Sequence, residues 1–136
     1  MRKIVKILDN VCNINNFSVA EEILLTRGNQ TDLFFQLATE KLDSLGDTSY
    51  QRYIPQGSSV VVEVQFDNID LNYQIRRTAQ LAFTGDGSIY KISLLSQDQL
   101  MFNSMRVSVF EDGVVSYFTV ETDIATQDVG DRRKFT

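Results

Sequence analysis

Few side chains in this 136-residue sequence could carry out chemistry. The chain contains no histidine, which removes the usual general base near neutral pH and the commonest metal ligand. Its single cysteine, Cys12, can form neither an intrachain disulfide nor a cysteine-based zinc site. A Ser–Lys pair or a pair of carboxylates would remain possible, but the sequence has no Gly-x-Ser-x-Gly elbow. We therefore predict a protein that is not an enzyme, with no catalytic, cofactor-binding or metal-binding residues.

The densest group of oxygen ligands is Asp67, Asn68, Asp70 and Asn72. Calcium sites need several such oxygens, but this run lacks the glycine and the distal glutamate of an EF-hand loop. The run is therefore predicted to be an acidic loop between two strands, with no bound metal. The segment Gly85-Asp86-Gly87 is likewise predicted to be a turn, because no helix start follows it to hold a phosphate.

Composition and charge narrow the possible partners. The length favours one domain, and 43% hydrophobic residues are typical of a globular core. A net charge of −5 argues against nucleic acid as a partner, because such binding depends on lysine and arginine. The apolar stretch 4–8 is too short for a secretory signal, and no run approaches the ~20 apolar residues of a membrane span. The expectation is a soluble protein, made in a cytoplasm, that binds no membrane.

Alternation of apolar and polar residues is the strongest structural pattern in the chain. Val60, Val62, Val64 and Phe66 share one face of a predicted strand, as a half-buried strand requires. The Asp112-Gly113 pair between two such runs predicts a hairpin. Seven strands are predicted in the body of the chain, over Glu22–Thr26, Thr31–Ala38, Ser59–Phe66, Gln74–Phe83, Ser88–Leu95, Asn103–Phe110 and Val114–Glu121. A further strand is possible at Lys3–Leu8, and a short helical turn at Glu40–Leu45, ended by Gly46.

This pattern predicts an all-β fold, and more finely an immunoglobulin-like antiparallel β-sandwich of about seven strands. A small closed barrel is the alternative, because alternation alone does not distinguish the two. The predicted organisation is an N-terminal extension (1–21), the β-sandwich domain (22–122) and a C-terminal tail (123–136). The predicted core comprises Val62, Val64, Leu81, Phe83, Ile92, Val107, Val109 and Phe118.

Both ends of the chain are polar and carry clustered basic residues. The clusters are Arg2, Lys3 and Lys6, and then Arg132, Arg133 and Lys134. Solvated termini are the expectation, with docking onto an acidic partner as the alternative. We expect the two end segments to be flexible in the isolated protein and to become ordered on neighbouring subunits, so that deleting 123–136 would leave the thermal transition nearly unchanged.

The order of several motifs resembles a known family. They are Leu25-Thr26-Arg27-Gly28-Asn29 before the strand at Thr31, Arg52-Tyr53-Ile54-Pro55, the alternating valines, Phe83 to Tyr90, Ile92 to Ser96 and the hairpin at Asp112-Gly113. Over about residues 24–121 this series resembles the N-terminal immunoglobulin-like domain of the tailed-phage baseplate upper protein family. Members of that family commonly continue into a long C-terminal region, whereas this sequence stops at Thr136, which favours a decoration, collar or adaptor role.

The resemblance implies that this chain is a structural component of a phage particle, acting as a baseplate, collar, adaptor or capsid decoration protein. It would be made in the host cytoplasm and located in the virion. Its implied partners are other virion structural proteins, in a homo-oligomer or multi-copy assembly, with the first or last strand at an interface. The alternative function is a small carbohydrate- or receptor-binding module, for which Tyr50, Tyr53, Tyr73, Tyr90 and Tyr117 are candidate stacking residues. The absence of tryptophan and the scatter of the tyrosines along the chain count against that alternative.

Overall fold

The protein folds into β-strands connected by turns and loops. The computed structural model describes residues 2–13, 16–20, 22–27, 31–70, 72–82, 87–94 and 102–128. The strands are β1 (Arg2–Asn13), β2 (Asn16–Val19), β3 (Glu22–Arg27), β4 (Thr31–Leu42), β5 (Thr48–Arg52), β6 (Val60–Asn68), β7 (Tyr73–Leu81), β8 (Ile89–Leu94), β9 (Ser104–Glu111), β10 (Val114–Val120) and β11 (Asp123–Asp128). Across these ranges there is no helix of the length and apolarity that would cross a membrane.

The main sheet closes on itself. Its strands are hydrogen-bonded in the order β1-β10-β9-β6-β7-β8-β4, and β4 then pairs with β1. The β1–β10 pairing is parallel, and the other pairings around this circuit are antiparallel. The predicted all-β class is confirmed, and the circuit of seven strands is barrel-like. In a closed sheet every strand has a hydrogen-bonded neighbour on both sides, so the circuit leaves no edge strand that needs a partner.

Side chains of alternate residues fill the interior of this barrel. Along β6, Val62, Val64 and Phe66 are buried, as the alternation predicted. The predicted core residues on β8, β9 and β10 are also buried, namely Ile92, Val107, Val109 and Phe118. The shared face of β4 is buried as well, with Leu33, Phe35 and Leu37 in the core.

The predicted burial of one core residue, Leu81, is wrong. Leu81 is 54% exposed, although it follows the alternation of β7. The pairing of β7 with β6 reaches only as far as Ala79 opposite Val62, so Leu81 has no β6 residue opposite it and pairs only with Tyr90 of β8. Phe83 lies outside the described residues, and its burial stays a prediction.

The N-terminal segment belongs to the barrel. β1 pairs with β4 on one side and with β10 on the other, and its side chains Ile4, Val5, Ile7 and Leu8 are buried. The predicted strand at Lys3–Leu8 therefore exists, but inside the sheet and not in an extension to it. Lys6 interrupts the apolar pattern of this strand, and its ammonium lies 3.7 Å from the centroid of the Tyr50 ring. Desolvation at this position lowers the pKa of Lys6.

The predicted helical turn at Glu40–Leu45 is wrong, because β4 continues to Leu42 and a tight turn leads into β5. The turn is closed by the Asp43 carboxylate, whose Oδ1 accepts hydrogen bonds of 2.8 Å from the backbone N–H groups of Leu45 and Asp47. Gly46 supplies the positive φ of 86° that this turn needs. Side-chain capping of a turn by aspartate is a local interaction that competes with helix formation.

Part of the predicted C-terminal tail is also paired. β11 forms a two-stranded parallel sheet with β3, from Asp123 opposite Glu22 to Asp128 opposite Arg27. Ile23 of β3 is buried in the main core, and Ile124 of β11 packs against that core. Deleting 123–136 would therefore remove strand β11 as well as the residues after it. We accordingly no longer expect this deletion to leave the thermal transition unchanged.

Candidate functional site

The predicted oxygen-ligand run lies at the end of β6 and in the loop that leads to β7. Asp67, Asn68 and Asn72 line an open cavity of about 560 Å³. The remaining lining residues are Ile69, Gln74, Ser104 and Arg106. Asp70 does not line this cavity; its carboxylate accepts a hydrogen bond of 3.3 Å from the Asn103 amide. The structure thus brings three of the four predicted residues together.

The Asp67 carboxylate is already occupied by protein donors. Its Oδ2 lies 3.3 Å from Arg106 Nε, and its Oδ1 accepts a hydrogen bond of 2.8 Å from Gln65 Nε2. Gln65 Nε2 also donates to Gln74 Oε1 at 2.7 Å, and Gln65 Oε1 accepts from Arg76 Nε at 2.9 Å. Within the described ranges, no cluster of three or more histidine, cysteine, aspartate or glutamate residues could hold a metal ion. These polar side chains are therefore held in place by hydrogen bonds and ion pairs with one another.

The opposite end of the same strands is apolar and exposed. We define the hairpin-end patch as the large apolar side chains around the β9–β10 hairpin and the adjoining ends of β6 and β7. Its members are between 37% and 72% exposed and comprise Val60, Val61, Leu81, Val114, Val115 and Tyr117. Val60 and Val114 both lie opposite Glu111, on the other side of the sheet from Val61 and Val115. Val61 and Val115 both lie opposite Phe110 in the register, so three strands contribute one continuous row. A contiguous exposed apolar surface of this kind marks an interaction site more often than a single exposed leucine does.

Sequence reasoning missed this patch, although a signal for it was present. Val60-Val61-Val62 and Val114-Val115 are runs of adjacent valines, and neighbours on a strand point to opposite faces. A valine run therefore places one apolar side chain inward and the next one outward. The alternation within these runs predicted the strands but not the exposed side chains.

The loop beside the patch is held in place by the β9–β10 hairpin. Glu111 accepts hydrogen bonds of 2.6 Å from the Tyr53 hydroxyl and from the backbone N–H of Gln56. Asp112 accepts from the backbone N–H of Ser59 at 2.8 Å, and its own N–H donates to the Ser59 carbonyl at 2.8 Å. Asp112 and Gly113 both have positive φ, at 50° and 87°, as a two-residue hairpin turn requires. The predicted hairpin is confirmed, and its acidic residues order the preceding loop.

Gly57 gives a direct test of this loop geometry. Its φ is +124°, and a Cβ added there would lie 2.5 Å from Asp112 Oδ2. We expect Gly57→Ala to lower the free energy of unfolding by about 2–3 kcal/mol, because both the backbone and the Asp112 carboxylate would have to shift. Chemical denaturation measures this change.

The matched control is Gly46→Ala, because Gly46 also has a positive φ but nothing lies within 4 Å of its added Cβ. Gly46→Ala should lower the free energy of unfolding by about 1 kcal/mol, because only the unfavourable backbone conformation of alanine contributes. Equal losses for the two variants would contradict the close contact between Gly57 and Asp112.

Tyr53 provides a pH-dependent test of the same loop. The hydrogen bond to Glu111 and, to a smaller extent, burial raise the pKa of Tyr53 to about 12. Because an unfolded tyrosine has a pKa of about 10, the resulting stability is complete below pH ~10 and is lost as the pH rises toward 12. We expect the phenolate absorbance to show a titration step near pH 12, and Tyr53→Phe to remove that step. Glu111→Gln should move the step to lower pH; a step unchanged by Tyr53→Phe would assign it elsewhere.

Two pairs of serine and lysine residues resemble nucleophile motifs. The ammonium of Lys3 lies 3.1 Å from the hydroxyl of Ser116. This Ser–Lys pair sits beside Tyr53, whose ring packs on Phe118 at 5.2 Å between centroids, so the hydrogen bond satisfies a part-buried lysine at the end of the core. The Ser-x-x-Lys spacing occurs at Ser88 and Lys91, but three residues along an extended chain place two side chains on opposite faces. Ser88 is buried and Lys91 pairs with Asp32, so that spacing forms no dyad.

The comparisons with known proteins give no relative for this arrangement. No protein-family model, no curated protein and no solved structure matches the chain. Function is therefore inferred from the residues of this chain and their geometry.

Proposed function

We propose that this chain is a non-enzymatic structural component of a tailed-phage particle, in baseplate, collar, adaptor or capsid decoration, and that it acts by protein–protein docking. The observation that supports docking is the hairpin-end patch, in which the exposed Val61 and Val115 lie on either side of Phe110 across three hydrogen-bonded strands. The resemblance of the motif order to the baseplate upper protein family supports the phage setting. The two lines of support are independent of each other.

The patch suits a protein partner because it is organised before binding. Its valines stand on paired strands, and the neighbouring loop is held by Glu111 and Asp112. A surface that is already ordered loses little conformational entropy when a partner covers it. Apolar burial then contributes about 25 cal/mol for each Å² removed from water.

The proposed partners are other virion structural proteins and further copies of this chain. The net charge of −5 disfavours nucleic acid, because contacts with phosphates require basic side chains. We also propose that the chain is made in the host cytoplasm and is located in the virion. No membrane partner is proposed. The immunoglobulin-like description of the fold also stays a prediction, and the continuous circuit of hydrogen-bonded strands favours the barrel alternative.

Substitution inside the patch tests docking. Val115→Lys places a charge on an exposed strand position, so the free energy of unfolding should change by less than about 0.5 kcal/mol. Burying that charge unpaired in an interface should weaken docking at least tenfold, which corresponds to about 1.4 kcal/mol. The measurement is quantitative mass spectrometry of particles purified from the phage that encodes this chain, with wild-type and variant proteins supplied in turn.

Ser49→Lys is the matched control, because Ser49 is an exposed strand residue on β5, outside the patch. It should be incorporated like the wild type. Absence of the wild-type chain from purified particles would overturn the virion role. Equal incorporation of Val115→Lys and the wild type would overturn the patch as the docking surface.

A second candidate, carbohydrate or receptor binding, is favoured by the open polar cavity at the other end of the strands. Carboxylate and amide groups from Asp67, Asn68, Asn72 and Gln74 line it, and such groups hydrogen-bond sugar hydroxyls. Tyr90 is buried and Tyr50 and Tyr117 lie on β5 and β10, so these three tyrosines supply no stacking platform there, whereas Tyr73 of β7 pairs with the lining residue Asn68. Glycan-array binding tests this candidate.

Asn72→Gly is the informative variant for that test. It removes a lining amide while permitting the positive φ of 55° found at this position. Binding of a defined glycan by the wild type, lost in Asn72→Gly, would favour the second candidate over docking.

A further inference from the structure

A small apolar recess opens where β6 and β7 separate at the hairpin end of the barrel. The two strands pair as far as Val62 opposite Ala79; beyond this rung Val60 continues beside β9, and Leu81 continues beside β8. The recess has a volume of about 280 Å³, and its lining includes these four side chains and Tyr90. Val60 and Leu81 follow the inward-facing positions of Val62 and Ala79, yet they are 37% and 54% exposed. The apolar interior of the barrel is therefore open to solvent at this end.

The walls of the recess are fixed by hydrogen bonds within the protein. Val60 lies opposite Glu111 of β9 in the sheet. Glu111 also accepts hydrogen bonds of 2.6 Å from the Tyr53 hydroxyl and from the backbone N–H of Gln56, which stand on either side of the lining residue Pro55. A recess that is formed in advance loses little conformational entropy when it is filled.

The volume of the recess indicates what can occupy it. Sites for drug-sized ligands measure roughly 300–1,000 Å³, so this recess lies below that range. An apolar cavity of ~150 Å³ is enough to hold a benzene molecule. The recess therefore fits a single aromatic side chain. In protein interfaces a few such anchoring side chains, each in a well-packed pocket, supply most of the binding free energy.

The charge beside the recess is negative. Glu111 lies opposite the lining residue Val60, and Asp112 follows it in the hairpin turn. The hydrogen bonds that these two carboxylates accept from the 53–59 loop come from neutral donors, the Tyr53 hydroxyl and backbone N–H groups, and so do not cancel the charge. The other charged side chains at neighbouring register positions have partners of opposite charge, namely Arg76 for Glu63 and Asp32 for Lys91. An aromatic side chain with basic neighbours would complement this surface.

The C-terminal segment of the chain has this composition. Arg132, Arg133 and Lys134 directly precede Phe135, whereas the other basic cluster, within residues 2–6, belongs to β1 of the barrel. β11 ends at Asp128, and Phe135 is seven residues further on. Seven extended residues span up to about 23–25 Å, which exceeds the ~14 Å radius of gyration of a folded domain of this length. The segment is therefore long enough to reach another copy.

We propose that Phe135 of a second copy of this chain enters the recess, with its residues 132–134 beside Glu111 and Asp112. The contact is heterologous, because the recess of one copy meets the C-terminal segment of the other. Val60, Val61 and Leu81 of the hairpin-end patch line the recess, so the inference rests on the proposed docking function and names the partner as a further copy. Its test requires no particle.

Sedimentation velocity of the purified full chain over a concentration series measures the dissociation constant between copies. Phe135→Ala removes the ring that fills the recess, and Leu81→Lys replaces an apolar wall with an ammonium that repels the basic segment. Each should raise the dissociation constant about tenfold or more. Thr136→Ala and Leu45→Lys are the matched controls, because one changes the residue next to Phe135 and the other places the same charge on an exposed turn. Both should associate like the wild type.

Mixing the two variants shows whether the recess and Phe135 meet between copies. The Leu81→Lys chain retains Phe135, and the Phe135→Ala chain retains the recess. An equimolar mixture should therefore associate about tenfold more tightly than either variant alone. Leu81 is half-exposed, so the melting temperature of Leu81→Lys should stay within about 2 °C of the wild type, which separates lost association from misfolding.

Weaker association of each variant, restored in the mixture, supports the proposal. A wild-type chain that stays monomeric near ~1 mM would overturn it. So would a Phe135→Ala chain that associates like the wild type, or a mixture that binds no more tightly than its components. If the wild-type chain is found in purified particles despite such a result, the proposed function stands and only this inference falls.

Discussion

Deletion of residues 1–8 is expected to abolish the cooperative unfolding transition. The deletion removes four buried apolar side chains, Ile4, Val5, Ile7 and Leu8, and leaves β4 and β10 without their shared neighbour. At about 1.5–3 kcal/mol for each buried side chain, the loss is about 6–12 kcal/mol, which is comparable to the whole ~5–15 kcal/mol that stabilises a typical domain. Thermal unfolding followed by near-ultraviolet circular dichroism measures this, together with binding of a hydrophobic dye to the opened barrel.

The control for that deletion removes eight residues from the other end, 129–136, which lie beyond β11. Because no described strand is lost, the free energy of unfolding should change by less than about 0.5 kcal/mol. A cooperative transition in the chain without residues 1–8 would mean that β1 is dispensable and that the barrel can close without it.

Phe66→Ala should cause the largest loss of stability of any single substitution proposed for this protein, about 3–5 kcal/mol. Phe66 is fully buried on the inner face of β6, and its ring lies 5.6 Å from that of Phe102 between centroids. Truncation leaves a cavity where these rings pack, because the surrounding strands are held by their pairings and relax only partly. For a domain of this size the melting temperature should fall by about 10–20 °C, measured by calorimetry.

Leu45→Ala is the matched apolar truncation at an exposed site, since Leu45 is 85% exposed in the β4–β5 turn. Its effect should stay within about 0.5 kcal/mol. A Phe66→Ala loss below ~1 kcal/mol, similar to that of Leu45→Ala, would show that β6 does not present Phe66 to a packed interior.

Local patterns in the sequence determined the strands of the seven-stranded circuit and one turn, but not β2, β5 or β11. The alternation of Val62, Val64 and Phe66 specified both the strand and its inward face, because a strand repeats every two residues and a one-residue shift would expose all three. The Asp112-Gly113 hairpin was equally local, since two adjacent residues with positive φ define that turn. Among the candidate site residues, the grouping of Asp67, Asn68 and Asn72 around one cavity was predictable because they are neighbours in the chain.

The tertiary structure alone decided how the sheet closes and which apolar residues remain outside it. Closure depends on β1 meeting β4 and β10, which brings Ile4 beside Ala38 and Thr119. No local pattern encodes pairing over such separations, because its free energy depends on which distant strand is available. Leu81 shows the same limit: its alternation was correct, yet the pairing of β6 and β7 ends before it. The hairpin-end patch exists for this reason, since exposure depends on what covers a side chain in space and not on its neighbours in sequence.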